Sequence, residues 1–537
     1  MGHLEAKWIN YSHASRLIAL LALLLGLSAC SGNIRQARPY QEATTDVNHT
    51  RLAKILAPTV QAQPRNQGGF MLIQNGMDAL RAIIYLSNTA EKSLDLQYWS
   101  FHQDKTGKLV LYHLLKAADR GVKVRLLLDD FFASGGNANF NTLAKHPNIE
   151  VRLYNPVSRR KWLRSLSMLL NFNKANRRMH NKVFIADNKV AIVGGRNIGD
   201  AYYMAKRRFF YRDLDLMMIG SVVQQVSSSF DAYWNAKWAV NIRKVNKRLL
   251  LPIAYADTRS RLTQHYKTIR SSRYWQVLQR GDIAKKLSQA RQYFVWARYK
   301  VLYDPPSKVR SLRKRNKNYI EYAMTRHMMQ ANSSIRILTP YFIPQRSGMR
   351  WIKKMRKKGI NVAVLTNSFA ANDFSLSHGG YQRYRIALLK AGVQLYEFRR
   401  GGVRTTKRNI TWFKKKPLSY LHAKSIIIDD RYIYVGSVNY TPRSSYLNTE
   451  ISIMVDSTIL ASQLRQTFAK LTTRQNSYSL RLKKVKSWPD DEAGEGEEQT
   501  QYQIVWNASK RTVDPGVGLL KHLSISLISL LPIENML

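Results

Sequence analysis

Two histidines, two lysines and two asparagines recur in one order along the chain, and such a set can hold and split a phosphodiester. The first group is His180-Asn181-Lys182, then Asp187 after four further residues, then Gly194-Gly195-Arg196-Asn197. The second is His422-Ala423-Lys424, then Asp429 after four, then Gly436-Ser437-Val438-Asn439. Each begins as an alternating strand, which puts His and Lys on one face because side chains repeat every two residues. Histidine can be nucleophile, acid or base near neutral pH. Lysine offers phosphate a compact positive charge, and an asparagine past a glycine turn can donate its amide hydrogens to the same group. A lone H-x-K would carry little. Two copies of the long pattern, 242 residues apart, carry a great deal. Two histidines also allow one to attack phosphorus while the other protonates the leaving alcohol and deprotonates the incoming one.

The elements that must position these residues repeat as well. Leu94–Tyr98 alternates like a strand, and a helical pattern follows through Leu109, Leu111, Leu114, Leu115 and Ala118. Gly121 stops it and Val122–Leu128 reads as the next strand. Residues 335–365 replay that order, and Tyr154 and Tyr396 share the 242-residue offset of the histidines. Two copies of one α/β unit are expected, each a mostly parallel sheet flanked by helices, packed face to face around one active site. The segments expected are a first repeat over 68–240, a connecting segment over 241–320 with a basic loop at 304–317, and a second repeat over 321–480. A C-terminal segment over 481–537 would hold an acidic loop at 490–498 and an amphipathic stretch at 517–530. That stretch suits either a membrane interface or the protein's own core. Phe230, Tyr233, Trp234 and Trp238 fall at helical spacing and are read as core.

Among 537 residues, 86 are Lys or Arg and 34 Asp or Glu, a net charge of +52. Aromatic content of 11% excludes a fully disordered chain, and the single cysteine excludes a disulfide scaffold. The charge predicts an anionic partner. Residues 1–30 read as an export signal: Lys7 and Arg16 precede the apolar run Leu17–Leu27, which is too short to span a bilayer. Leu27-Ser28-Ala29-Cys30 resembles a bacterial lipoprotein signal. That resemblance implies acylation of Cys30 and a mature chain starting there, with an uncut anchor as the competing reading. Residues 31–67 are expected to be a polar tether, with structured material from about Phe70.

The paired motifs resemble the HKD motifs of the phospholipase D superfamily. That resemblance implies a phosphohistidine intermediate without metal or other cofactor, His180 as nucleophile and His422 as acid/base. Lys182, Lys424, Asn197 and Asn439 would bind phosphate. The remaining motif members of the catalytic set, Asp187 and Asp429, would act mainly on local structure. A further acidic residue would orient each histidine, with Asp213 and Glu450 at those places and Asp215 as the competitor of Asp213. Further segments, among them Asn176–Lys182, Gly194–Tyr202, Ala371-Asn372-Asp373, and His378 with Tyr381, resemble the C-type bacterial cardiolipin synthases. This implies transfer of a phosphatidyl group to phosphatidylglycerol, with phosphatidylethanolamine a possible second substrate. The charge and the lipoprotein-type signal together imply an anionic membrane surface as partner rather than nucleic acid, with the chain lipid-anchored on the periplasmic side of a bacterial envelope or at its outer membrane. His378, Tyr381 and Tyr384 are read either as headgroup contacts or as satisfied helix-surface residues. A phospholipase D or nuclease using water as acceptor is the rival reading.

Overall fold

The computed structural model describes residues 39–132, 138–156, 176–206, 208–245, 253–311, 316–402, 417–487, 499–507 and 514–518. Residues 1–30 with Cys30, the acidic loop and nearly all of the 517–530 stretch lie outside the described residues.

A short helix, α1 (Arg51–Val60), precedes the first repeat. The repeat itself contains β1 (Gln67–Ile73), α2 (Gly76–Thr89), β2 (Ser93–Ser100), α3 (Lys105–Asp119), β3 (Lys123–Phe132) and β4 (Ile149–Tyr154). It continues through β5 (Val183–Ala186), β6 (Val190–Gly194), β7 (Phe209–Arg212), β8 (Asp215–Gly220), α4 (Val222–Trp234) and β9 (Ala239–Asn241). The second repeat runs from β10 (Val295–Tyr303) through α5 (Ile320–Met328), β11 (Ser334–Leu338), α6 (Gln345–Lys357), β12 (Asn361–Asn367) and β13 (Gln394–Phe398). Then come β14 (Leu418–Leu421), β15 (Ser425–Ile428), β16 (Tyr432–Gly436), β17 (Ile451–Asp456), α7 (Thr458–Thr472), β18 (Ser477–Ser487) and β19 (Gln499–Trp506).

Seventeen of these strands form one sheet, and β7 and β14 form a separate pair. Pairing places β9-β4-β3-β2-β5-β6-β8-β1 beside β10-β17-β16-β15-β11-β12-β13-β18-β19. The order is the same read outwards from the antiparallel β1–β10 contact, so the repeats are related by a pseudo-twofold there. Within the seventeen-stranded sheet, among the described residues, only β2-β3-β4 and β11-β12-β13 are parallel. The mostly parallel expectation fits these three-strand cores, whose strands are joined by helices. The motif-bearing strands are linked by tight turns, which cannot make a parallel crossover, so they add antiparallel.

Three boundaries differ from expectation. The supposed tether is ordered well before Phe70: Leu52 and Leu56 of α1 are buried, and Thr50 caps the helix by accepting from the Ala53 N–H. Upstream, Gln41 accepts a 2.7 Å hydrogen bond from the Trp234 indole. The connecting segment is not a linker either, because Leu262, Tyr274, Leu278 and Leu287 join the core around α2 and α3. The second repeat starts at β10, the counterpart of β1. Finally, the basic loop is partly interior: Lys308 is fully buried, 2.8 Å from Asp304. A core cluster containing Phe230, Tyr233 and Trp234 of α4 joins the two repeats.

Candidate active site

In each repeat the motif begins just before a strand and ends at its far turn. Asp187 and Asn188 have φ of 47° and 48°, and Asp429 and Asp430 have 55° and 50°. Both pairs make two-residue hairpin turns with positive φ at both positions, a conformation that Asp and Asn tolerate. Asp187 accepts from the N–H groups of Glu91, Lys92 and Ser93, where β2 begins. Asp429 accepts in the same way from Asn332, Ser333 and Ser334, where β11 begins. The motif aspartates thus sit at the opposite end of β5 and β15 from the histidines. They lock the hairpin to the parallel core and touch no histidine.

The histidines receive carboxylates from the opposite repeats. Strand β7 runs parallel to β14 with Arg212 opposite Leu421, and the next N–H groups, of His422 and Ala423, both donate to the Arg212 carbonyl. That register delivers Asp213, whose Oδ2 lies 2.5 Å from His422 Nδ1. On the other side Met179 and Thr449 form a parallel bridge, with the His180 N–H donating to Thr449 and the Thr449 N–H to Arg178. Glu450 Oε2 is accordingly 2.7 Å from His180 Nδ1. Asp215, the competitor of Asp213, pairs at 2.7 Å with Arg196 instead.

Each carboxylate has its own support. Glu450 accepts from the hydroxyls of Ser437 (2.5 Å) and Ser444 (2.6 Å), and its N–H donates to Asp304, which Lys308 holds. At the position matching Ser437 stands Gly195, where a Cβ would collide with the Asp213 carboxylate. The glycine gives Asp213 room, and the serine gives Glu450 a hydrogen bond.

His180, Lys182, His422 and Lys424 are all buried. Burial drives His180 down to about 4, with Lys182 and Lys424 adding to the effect and Glu450 opposing it. His422 is also lowered, by burial and then Lys424, against Asp213. Burial alone would raise Glu450, but His180, Lys182 and Ser437 outweigh it and leave the carboxyl below its usual value. Burial thus biases both rings toward the neutral form, each with Nδ1 beside a carboxylate, and Lys424 Nζ lies 3.2 Å from His422 Nε2. Lys182 is pushed well below its usual value by burial and by Lys424 across the repeats, and Lys424 falls to about 8. Lys424 also acts on His180 and Lys182 across the repeats, as expected of two motifs that face one another. An arriving phosphodiester anion would restore both charges.

The surroundings of the two imidazoles differ. Trp99 packs edge-on to His180 with centroids 5.0 Å apart. Tyr202 and Tyr211 lie 5.3 and 5.0 Å from His422, and the Tyr211 hydroxyl donates to Asp373 at 2.8 Å, beside Tyr341. Asn197 donates to the Tyr202 hydroxyl and accepts from the Ser100 N–H, while Asn439 Oδ1 is buried without a partner among the described residues. Sequence reading missed Trp99 and Tyr211, which have no motif of their own. Asp304 and Lys308 fell in the basic loop, and Tyr202, Asp373 and Ser437 within segments already singled out, but without a role at the site. His378 and Tyr381 are buried elsewhere, with Arg385, Glu397 and Asp514, so they belong to the core and not to a headgroup contact.

A family profile described as "Cardiolipin synthase, PLD-like domain" matches residues 83–234 and 324–472. Cardiolipin synthase C of Escherichia coli is 34% identical over 91% of this chain and 100% of its own length. Cardiolipin synthase 2 of Staphylococcus epidermidis is 25% identical over 71% of this chain and 63% of its own. Among solved structures, phosphatidylserine synthase of Haemophilus influenzae superposes with a TM-score of 0.51 at 13% identity, covering 81% of this chain and 92% of that one.

Proposed function

The chain belongs to the phospholipase D-like cardiolipin synthase family of phospholipid phosphatidyltransferases, and from that premise we propose that it makes cardiolipin through a phosphohistidine. His180 Nε2 attacks phosphorus and the bond to the headgroup oxygen breaks, while His422, entering this step as the imidazolium that Asp213 and the incoming phosphate anion stabilise, gives its Nε2 proton to the departing alcohol. The glycerol hydroxyl of phosphatidylglycerol then loses its proton to His422 as its oxygen attacks phosphorus. The P–N bond breaks and His180 regains its lone pair. Lys182, Lys424, Asn197 and Asn439 hold the phosphate oxygens, and Asp213 and Glu450 fix the ring tautomers. The observation that carries this reading is the pair of imidazoles, each held at Nδ1 by a carboxylate of the other repeat beside a shared pair of lysines. The hydroxyl-rich flank of His422 suits an alcohol that leaves or arrives there.

Water outnumbers any lipid hydroxyl, so a transferase must favour its acceptor by position; holding the glycerol group beside the intermediate does this through effective molarity. The +52 charge favours an anionic bilayer, at about 1 kcal/mol per basic residue near the surface. Acylation at Cys30 would keep the enzyme there on the periplasmic face. Purified protein is given labelled phosphatidylglycerol in bilayers, with and without phosphatidylethanolamine, and the lipids are resolved. Cardiolipin is expected to exceed phosphatidic acid. Phosphatidic acid dominating at every phosphatidylglycerol density would make the protein a phospholipase. Intact-mass measurement checks the anchor, which fails if residues 1–29 remain.

A further inference from the structure

A cleft of about 640 Å³ opens in the second repeat, between α5, α6 and the β11–β15–β16 face, with neither histidine among its lining residues. Its walls are mainly apolar: Met324, Met328 and Met329 at α5, with Ile337, Ile343 and Ile426 opposite. Four exposed cations, Lys317, Arg326, Arg350 and Lys354, stand at the mouth, with Glu321 as the carboxylate among the lining residues. At its inner end the lining includes Lys424, Gly436 and Asn439, the loop of the second motif. The size falls within the range of ligand pockets, ~300–1,000 Å³, and such pockets are mostly apolar with a few placed polar groups.

We propose that this cleft takes one acyl chain of an anionic phospholipid, with the basic mouth drawing the lipid in and the chain lying along the methionines. Unbranched, polarisable methionine side chains conform to a flexible hydrocarbon better than branched ones do. A water-soluble metabolite would leave the apolar wall unused. Four of the five basic lining residues are exposed and only Lys424 is buried, so a phosphate would sit at the rim, and the basic track that a nucleic acid strand follows does not continue inwards. Because the inner end touches Lys424 and Asn439, a bound chain also braces the loop that carries them. The identity of the lipid rests on the phosphatidyltransferase reading; the cleft's affinity for an acyl chain does not.

The test uses the full chain and a phosphatidylglycerol bearing a diazirine midway along one acyl chain, in vesicles of phosphatidylglycerol and phosphatidylcholine. After illumination, peptide mass spectrometry is expected to find the label on α5 and β15. Met329→Trp, which narrows the cleft, should cut that labelling. It should also lower the ratio of transfer rates on long-chain against short-chain phosphatidylglycerol roughly tenfold, the worth of about two buried methylenes. Thr325→Phe, on the same wall, should do so more weakly. Label confined to other surfaces, or an unchanged ratio in both variants, would overturn the inference. Label on α5 without any transfer would keep the cleft and sink the reaction proposed above, whereas transfer with label elsewhere would do the reverse.

Discussion

His422 receives its carboxylate through four registered residue pairs between β7 and β14, whereas His180 receives its own through one backbone bridge backed by side chains. On the first side, backbone register fixes Asp213, and Gly195 merely keeps clear. On the second, Ser437, Ser444 and the Asp304–Lys308 pair make up for the shorter pairing by fixing Glu450 directly. Hydroxyl donors stabilise the Glu450 anion, so Glu450 orients His180 without taking its proton. The repeats have therefore diverged where their duties differ, around a common frame.

The sharpest way to break the comparison is to remove each ring. His180→Asn is expected to abolish transfer, by about 10⁴-fold or more, since the covalent route needs its nucleophile. His422→Asn should be nearly as slow yet accumulate acid-labile phosphate on His180. Phosphate found on His422 in the wild type, and none on His180, would reverse the two roles.

Next come the carboxylates. Glu450→Gln and Asp213→Asn should each cost about 10²–10⁴-fold in kcat, the usual worth of positioned acid–base machinery. Glu450→Gln should chiefly slow phosphohistidine formation measured by rapid quench, while Asp213→Asn, acting through His422, should slow formation and breakdown alike; the same pattern in both variants would erase the proposed division. Ser437→Ala should cost about tenfold, a charge-assisted hydrogen bond being worth ~1.5–3 kcal/mol. Gly195→Ser should cost more than that, because it displaces Asp213 instead of loosening it.

The pH profile separates the halves more gently. A lowered histidine pKa means that His180 keeps its free base down to about pH 4, so the acid limb of kcat/KM that reports the nucleophile should lie there. A lowered lysine pKa means that charge is lost on the alkaline side, so kcat/KM should fall above about pH 8 as Lys424 deprotonates. Bound phosphodiester should move the alkaline limb of kcat upward. A limb that stays at 8 in Lys424→Arg would assign it to another group.

The smallest effects on chemistry are expected at the motif aspartates. Asn is tolerated at their positive φ, so Asp187→Asn and Asp429→Asn remove charge while keeping the turn. Each should lower stability by about 1–3 kcal/mol in denaturant titration, with kcat within a few-fold of wild type. The fully buried Asp187 should cost more than the partly exposed Asp429. A loss of kcat comparable to that of the histidine variants would make the aspartates catalytic.

Much of this was legible in the chain because it lies in local spacing. The 242-residue offset announced the repeat, and helical spacing marked Phe230, Tyr233 and Trp234 as core. Trp238, read with them, lies past α4 and is only partly buried, and each His-x-Lys precedes its strand instead of alternating within it. What stayed hidden depends on tertiary pairing. Nothing near Asp213 says that it serves His422 and not His180, since only the β7–β14 register decides it. Lys308 reads as solvated among its basic neighbours until Asp304 is seen folded back upon it. The apolar face of α1 is one short stretch interrupted by Pro58, too little to stand out from its polar surroundings.

The crossed carboxylates also bear on how such a chain survives its own synthesis. Until β7 meets β14 and Thr449 meets Met179, neither imidazole has a fixed tautomer and no phosphate cradle exists. On the proposed chemistry, a partly folded molecule in contact with lipid would be chemically silent, and reactivity would switch on only when the two halves have docked. Quality control would then be written into the geometry, leaving a misassembled copy inert rather than a stray hydrolase loose on a membrane.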